Sequence, residues 1–157
     1  MLVAFLAISF AVAALGSIAT VANVDGWYAD AAKVPWTPPD VVFGPVWTVL
    51  YAAMSIAAWR VWLEREDADV RRPLALYVIQ LVLNALWTPV FFGLYPLIGG
   101  AALWIAAVII VTLDLLVLLT LISFWRVSRL AGALLIPYLV WVLFATSLNI
   151  GAAVLNS

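Results

Sequence analysis

Twenty-two residues, Met1 to Ala22, carry no charge, and four further apolar stretches of similar length follow along the chain. A hydrocarbon core about 30 Å thick needs roughly 20 apolar residues in a helix that rises about 1.5 Å per residue. Every stretch reaches that length. The pattern predicts transmembrane helices over about residues 2–22, 43–63, 74–94, 97–122 and 130–155. The expected fold class is an all-α membrane protein, a bundle of five transmembrane helices. It is read as one domain over residues 1–157, because no polar stretch is long enough to build a second. Residues 23–42 form the longest connection between spans. The first stretch also has the length range of a leader, but Met1 to Phe5 holds no Lys or Arg. The apolar run also exceeds a usual signal region, so a retained helix is expected.

Basic residues orient this bundle. Arg60, Arg65, Arg71 and Arg72 flank or occupy the connection between the second and third spans, and Arg126 and Arg129 sit between the fourth and fifth. Lys33 alone lies in the first connection. The positive-inside rule places the two arginine-bearing connections in the cytoplasm. The N-terminus is then cytoplasmic, the C-terminus is outside, and residues 23–42 face outward. Glu64, Glu66, Asp67 and Asp69 share the first of those cytoplasmic connections and read as a solvated turn.

Composition removes several classes of function. With 68% hydrophobic and 10% charged residues in 157, the chain cannot hide its apolar stretches inside a soluble core, so a lipid bilayer is its expected partner. The net charge of −1 leaves no basic footprint for nucleic acid. Cysteine and histidine are both absent, so disulfides, thiolate chemistry, the usual zinc sites and serine–histidine triads cannot be assembled. No metal site is expected, no cofactor is required, and a haem would find none of its common histidine or thiolate ligands. Aromatic surface is plentiful instead: nine Trp, seven Phe and five Tyr.

The candidate chemistry follows from where those aromatics fall. The outer connection reads Gly26-Trp27-Tyr28, then Lys33-Val34-Pro35-Trp36-Thr37-Pro38-Pro39. Its prolines stiffen the backbone. Trp27, Tyr28 and Trp36 either hold the loop at the headgroup level, the ordinary place for such rings, or cap a cavity as a lid. Within the spans, Trp47 and Tyr51 are one turn apart, Gln80, Asn84, Trp87 and Phe91 share a face, and so do Trp141, Ala145, Leu148 and Asn149. The three amides should point into the bundle, either as glue between helices or as part of a lined pocket, where Ala145 leaves a gap beside a ring. Asp114 is a carboxylate deep in the fourth span with no basic residue at mid-span to pair with. Protonation, a hydrogen bond at a helix interface, or a proton-coupled step would each accommodate it. Ala102 and Ala106 have small-xxx-small spacing, which signals close helix packing or dimerisation.

These residues resemble a known family. Trp27-Tyr28, Lys33, Trp36 and Pro38-Pro39, then Gly44-Pro45-Val46-Trp47 with Leu50-Tyr51, are similar to its first half. Gln80, Leu83-Asn84, Trp87 and Phe91-Phe92-Gly93 are similar to its third helix, and Pro137-Tyr138-Leu139, Trp141, Phe144-Ala145-Thr146 and Leu148-Asn149 to its fifth. The family is that of the translocator protein, also called tryptophan-rich sensory protein or peripheral benzodiazepine receptor, and the chain resembles a member of bacterial type. The resemblance implies residence in a bacterial inner membrane, a five-helix bundle that is often a homodimer, and binding of a porphyrin of the protoporphyrin IX kind. By matching motif, the ligand site would comprise Trp27, Tyr28, Trp47, Tyr51, Asn84, Trp87, Trp141, Ala145 and Leu148. Some bacterial relatives are held to degrade porphyrin with light and oxygen, and Trp47 and Trp141 match the tryptophans assigned to that catalytic step. Two departures stand out. Lys33 is separated from Pro35 by Val34, and Leu148-Asn149 is followed by Ile150-Gly151-Ala152 without the aromatic and basic pair of animal members, so sterol is not expected as ligand.

The expected function is a membrane receptor or sensor that binds porphyrin-like tetrapyrroles between its helices. Photo-oxidative porphyrin degradation is the enzymatic alternative. Transport of porphyrin or another hydrophobic ligand is a third, although the chain shows neither internal repeats nor a broken helix pair.

Overall fold

A computed structural model describes all 157 residues. The apolar runs become α1 (Leu2–Val21), α3 (Phe43–Leu63), α4 (Arg71–Thr88), α6 (Gly100–Val127) and α7 (Arg129–Leu155), and no strand is present. Two four-residue helices punctuate the connections, α2 (Trp27–Asp30) and α5 (Tyr95–Ile98). A single 3-10 turn at Asp40–Val42 leads into α3, and α4 widens into a π-helical turn at Pro89–Gly93. Five helices, counting α3 and α4 with these extensions, are long and apolar enough to cross a membrane.

Helix ends follow local hydrogen bonding more closely than they follow hydropathy. The third span starts at Arg71 rather than near Leu74, because Asp69 Oδ1 accepts from Arg71 N at 3.1 Å and the Val70 carbonyl from Leu74 N at 3.0 Å. Pro73 is tolerated there, since N–H groups of a first turn have no helical partner. The fourth span starts at Gly100 rather than near Leu97: Gly99 has φ +61°, a left-handed conformation suited to glycine, and it separates α5 from α6. That span runs on past Ile122 to Val127, and the Ser128 hydroxyl then accepts from Ala131 N at 3.4 Å to cap α7.

Contacts order the helices around the bundle as α1, α3, α7, α6, α4 and back to α1. The α6–α7 interface is the most extensive. Ala102 and Ala106 are fully buried, and Ala106 packs in a cluster with Ala152 and Ala153 of α7. Their spacing therefore serves close packing inside one protomer, not a face available to a second copy. The main core, with Met54, Val61, Tyr77, Leu81, Val117, Phe124 and Tyr138, fills the bundle beyond Tyr51. A smaller cluster packs Tyr28 of the first connection against Phe91, Leu103, Ala106, Ala152 and Ala153. Many large apolar side chains stay exposed on the outer surface, among them Val108, Val111, Leu115, Val140 and Val154. Apolar surface on this scale is a surface for lipid. The protein is an integral membrane protein whose helices contact the bilayer.

Candidate functional site

A cavity of about 500 Å³ opens between the helices on the lid side of the main core. Of its 30 lining residues 19 are hydrophobic, which suits an apolar ligand held by few polar groups. Eight of the nine residues singled out from the sequence line it: Tyr28, Trp47, Tyr51, Asn84, Trp87, Trp141, Ala145 and Leu148. Helical spacing explains the convergence. Trp47 and Tyr51 stand one turn apart on α3, with ring centroids 5.5 Å apart. Trp87 and Phe91 stack at 5.2 Å across the start of the π turn. On α7, Trp141 meets Phe43 edge-on at 5.8 Å, and Ala145 sits one turn further along.

The ninth residue, Trp27, is not on the cavity wall. Its ring stacks on Tyr95 at 3.8 Å and its Nε1 donates to the Phe92 carbonyl at 2.9 Å. Trp27 thus wedges α2 against the π turn and presents its neighbour Tyr28, which is buried against Phe91 and Phe92. Lys33 Nζ lies 4.5 Å from the centre of the Tyr28 ring, a cation–π contact at the rim. Burial pushes the Tyr28 phenol above its ordinary range, and the Asp40 carboxylate adds to that shift. Lys33 and Asp40 are the charged residues among the lining, and both belong to the lid connection.

Below the cavity the amides bond across helix interfaces. Tyr51 Oη donates to Asn84 Oδ1 at 2.7 Å, Asn84 Nδ2 to Tyr138 Oη at 3.0 Å, and Tyr138 Oη to Gln80 Oε1 at 2.8 Å. This chain joins α3, α4 and α7. Trp87 Nε1 donates to Asn149 Oδ1, and Asn149 Nδ2 to the Leu103 carbonyl, both at 2.9 Å, which joins α4, α7 and α6. Gln80 is helix glue alone, whereas Asn84 and Asn149 serve both as glue and as polar points on the cavity wall. Asp114 stands apart from the cavity, and the Thr146 hydroxyl donates to its Oδ2 at 2.8 Å across the α6–α7 interface.

One wall was absent from the sequence reading. Phe10, Ala13, Gly16, Ser17 and Thr20 of α1 all line the cavity. Gly16 is where α1 comes close to α4: a Cβ there would lie 3.3 Å from Thr88 Oγ1. The available signal was the set of small and hydroxyl residues at Gly16, Ser17 and Thr20, which together with Ser9 interrupt an otherwise apolar helix.

Known proteins resemble this chain along most of its length. The model of the TspO/MBR family matches residues 5–155, from the first turn of α1 to the end of α7. The tryptophan-rich protein TspO of Archaeoglobus fulgidus is 40% identical over 156 residues, 99% of this chain and 94% of that protein. Protein CrtK of Rhodobacter capsulatus is 37% identical over 147 residues, 93% of this chain and 88% of its own. The translocator protein of Homo sapiens is 42% identical over 132 residues, 78% and 70% respectively. With a family match that spans all five helices and relatives this similar along most of their length, the chain belongs to the TspO/MBR family of integral membrane proteins.

Proposed function

We propose that the protein is a membrane receptor or sensor that binds a flat, porphyrin-like tetrapyrrole in the cavity beneath the lid. One observation carries this function: Trp47, Trp87, Trp141, Tyr28 and Tyr51 border a single cavity of about 500 Å³. Planar aromatic ligands gain from ring faces in such a slot beyond simple area burial. A metal-free tetrapyrrole asks for no axial ligand, which agrees with a chain that has no histidine or cysteine to offer. Its carboxylates would lie toward the rim, beside Lys33. All the walls come from one chain, so pairing of two copies is not needed to complete the site. The main core and the Tyr51–Asn84–Tyr138–Gln80 chain close the cavity at its inner end, which favours a receptor over a conduit. The six arginines lie at the end of the bundle opposite the lid, so the lid would face outward from a plasma membrane with the N-terminus in the cytoplasm.

A second function, light- and oxygen-dependent loss of the bound porphyrin, is supported by the presence of both Trp47 and Trp141 on the cavity wall. Indoles are the most readily oxidised side chains there. A thermal-shift titration with metal-free protoporphyrin tests the receptor function. A ligand of the native state adds stability as RT ln(1 + [L]/Kd), about 2.7 kcal/mol at a hundredfold excess over Kd. A saturable rise in unfolding temperature is expected, and a flat titration would overturn the proposal.

A further inference from the structure

The lid consists of two parts held in different ways. Trp27 and Tyr28 are wedged into the aromatic cluster around Phe91, Phe92 and Tyr95. The strap that follows, from Ala31 to Pro39, has no such wedge. Its Ala31, Ala32, Lys33, Val34 and Thr37 form the roof of the cavity. It is fastened instead to the outer end of α7. Ala32 N donates to Asn156 Oδ1 and Asn156 Nδ2 donates to the Ala32 carbonyl, each at 2.9 Å. The pair matches both backbone groups of one strap residue, as a neighbouring strand would. The remaining amide hydrogen of Asn156 goes to the Ala152 carbonyl at 2.8 Å, which fixes the side chain's direction before the strap arrives.

Two contacts along the same helix reinforce this hold. Trp36 Nε1 donates to Ser147 Oγ at 3.3 Å, and Ser147 in turn donates to the Phe144 carbonyl at 2.7 Å. Val34 lies so close to Gly151 that a Cβ on that glycine would overlap Val34 Cγ1. Ser147 and Gly151 of α7 and Asn156 just past its end therefore form a track, and the strap lies along it. The two Asn156–Ala32 bonds are exposed, so they are weak enough to break without disturbing the bundle.

We infer that Asn156 is a latch: it holds the Ala31–Pro39 strap closed over the cavity, and its release from Ala32 sets how fast the cavity exchanges with water. The inference rests on the cavity being the binding site, not on which ligand fills it. It also separates two roles within the lid, since the Trp27–Tyr28 part stays seated while the strap moves.

The chain has no cysteine, so one introduced thiol reports cleanly. Ala145→Cys places it on the cavity wall, and a charged thiol reagent applied to protein in nanodiscs can reach it only through water. Labelling rate then measures strap opening with no ligand present. In that background Asn156→Ala should speed labelling about tenfold to thirtyfold, the factor for losing two hydrogen bonds, while the unfolding transition stays where it was. Asn156→Asp keeps the acceptor for Ala32 N and loses the donor to the Ala32 carbonyl, so its rate should fall between. Gly151→Ala pushes the strap away by a different route and should also accelerate labelling. Parental rates in both Asn156 variants would overturn the latch, whether or not Gly151→Ala responds. Because no porphyrin is used, that failure would leave the receptor proposal untouched, and a flat porphyrin titration would leave the latch untouched.

Discussion

Removing one oxygen from Tyr138 should weaken the bundle through the groups it leaves behind. Tyr138 is fully buried on α7 and is bonded to two residues of α4, accepting from Asn84 Nδ2 and donating to Gln80 Oε1. Tyr138→Phe keeps the ring and its packing, so no cavity contributes to the change. Both amides lose a partner. In soluble proteins each orphaned buried group costs about 1–3 kcal/mol. Side-chain hydrogen bonds between membrane helices are worth less, about 0.6 kcal/mol on average and about 1.7 at most, because unfolded helices in lipid also find partners. The membrane figure applies here, and two bonds in a dry core give a loss of about 1–2 kcal/mol. Tyr51→Phe breaks only the bond to Asn84 Oδ1 and should cost about half as much. Reversible unfolding in mixed micelles with increasing denaturing detergent, followed by near-UV circular dichroism, measures both. Parental stability for Tyr138→Phe, or a larger loss for Tyr51→Phe, would refute the reasoning.

Other outcomes follow from the same geometry. Ala145→Phe should fill the gap beside Trp141 and weaken porphyrin binding about tenfold to a hundredfold, since overpacking costs about 1–3 kcal/mol, while the helical circular dichroism is retained. An overlay with the parent titration would move the site elsewhere. Trp47→Phe and Trp141→Phe keep an aromatic face but lose the indole, so they should retain most porphyrin affinity and lose light-dependent bleaching at equal occupancy; equal bleaching in all three proteins would reduce that chemistry to ordinary photosensitisation. Asp30→Cys should be labelled only from outside the cell and Asp67→Cys only from the cytoplasm, and the reverse pattern would invert the orientation.

Much of this architecture was legible in the sequence for physical reasons. Span length is fixed by bilayer thickness, so the five apolar runs announced five helices. Residues one turn apart on a helix share a face, so Trp47 with Tyr51, and Trp141 with Ala145, could each be assigned to one face from the sequence, while gathering them into one site rested on the family resemblance. Trp27 shows where that logic stops. Successive residues on a helix point about 100° apart, so of the adjacent pair Trp27 and Tyr28 only one can face the cavity. The sequence does not say which. The α1 wall was harder to see, because α1 is apolar on nearly every side and only the short Gly16, Ser17 and Thr20 set marks the inner face near its end. The hold of Asn156 on Ala32 spans 124 residues and uses backbone groups on one side, so nothing in the side-chain pattern points to it. Helix ends shifted by several residues wherever a local bond, such as Asp69 to Arg71 N, or a special conformation, such as Gly99, decided the boundary.

The central claim is that the cavity bordered by Trp47, Trp87 and Trp141 binds a flat tetrapyrrole, and quenching of tryptophan fluorescence tests it most directly. Metal-free protoporphyrin would be titrated into the protein in nanodiscs, with Ala145→Phe and empty nanodiscs measured alongside. The account predicts saturable quenching with one porphyrin per chain, shifted to higher concentration in Ala145→Phe and absent as a saturable component without protein. Quenching that rises linearly, or that is identical in the parent and Ala145→Phe, would contradict it.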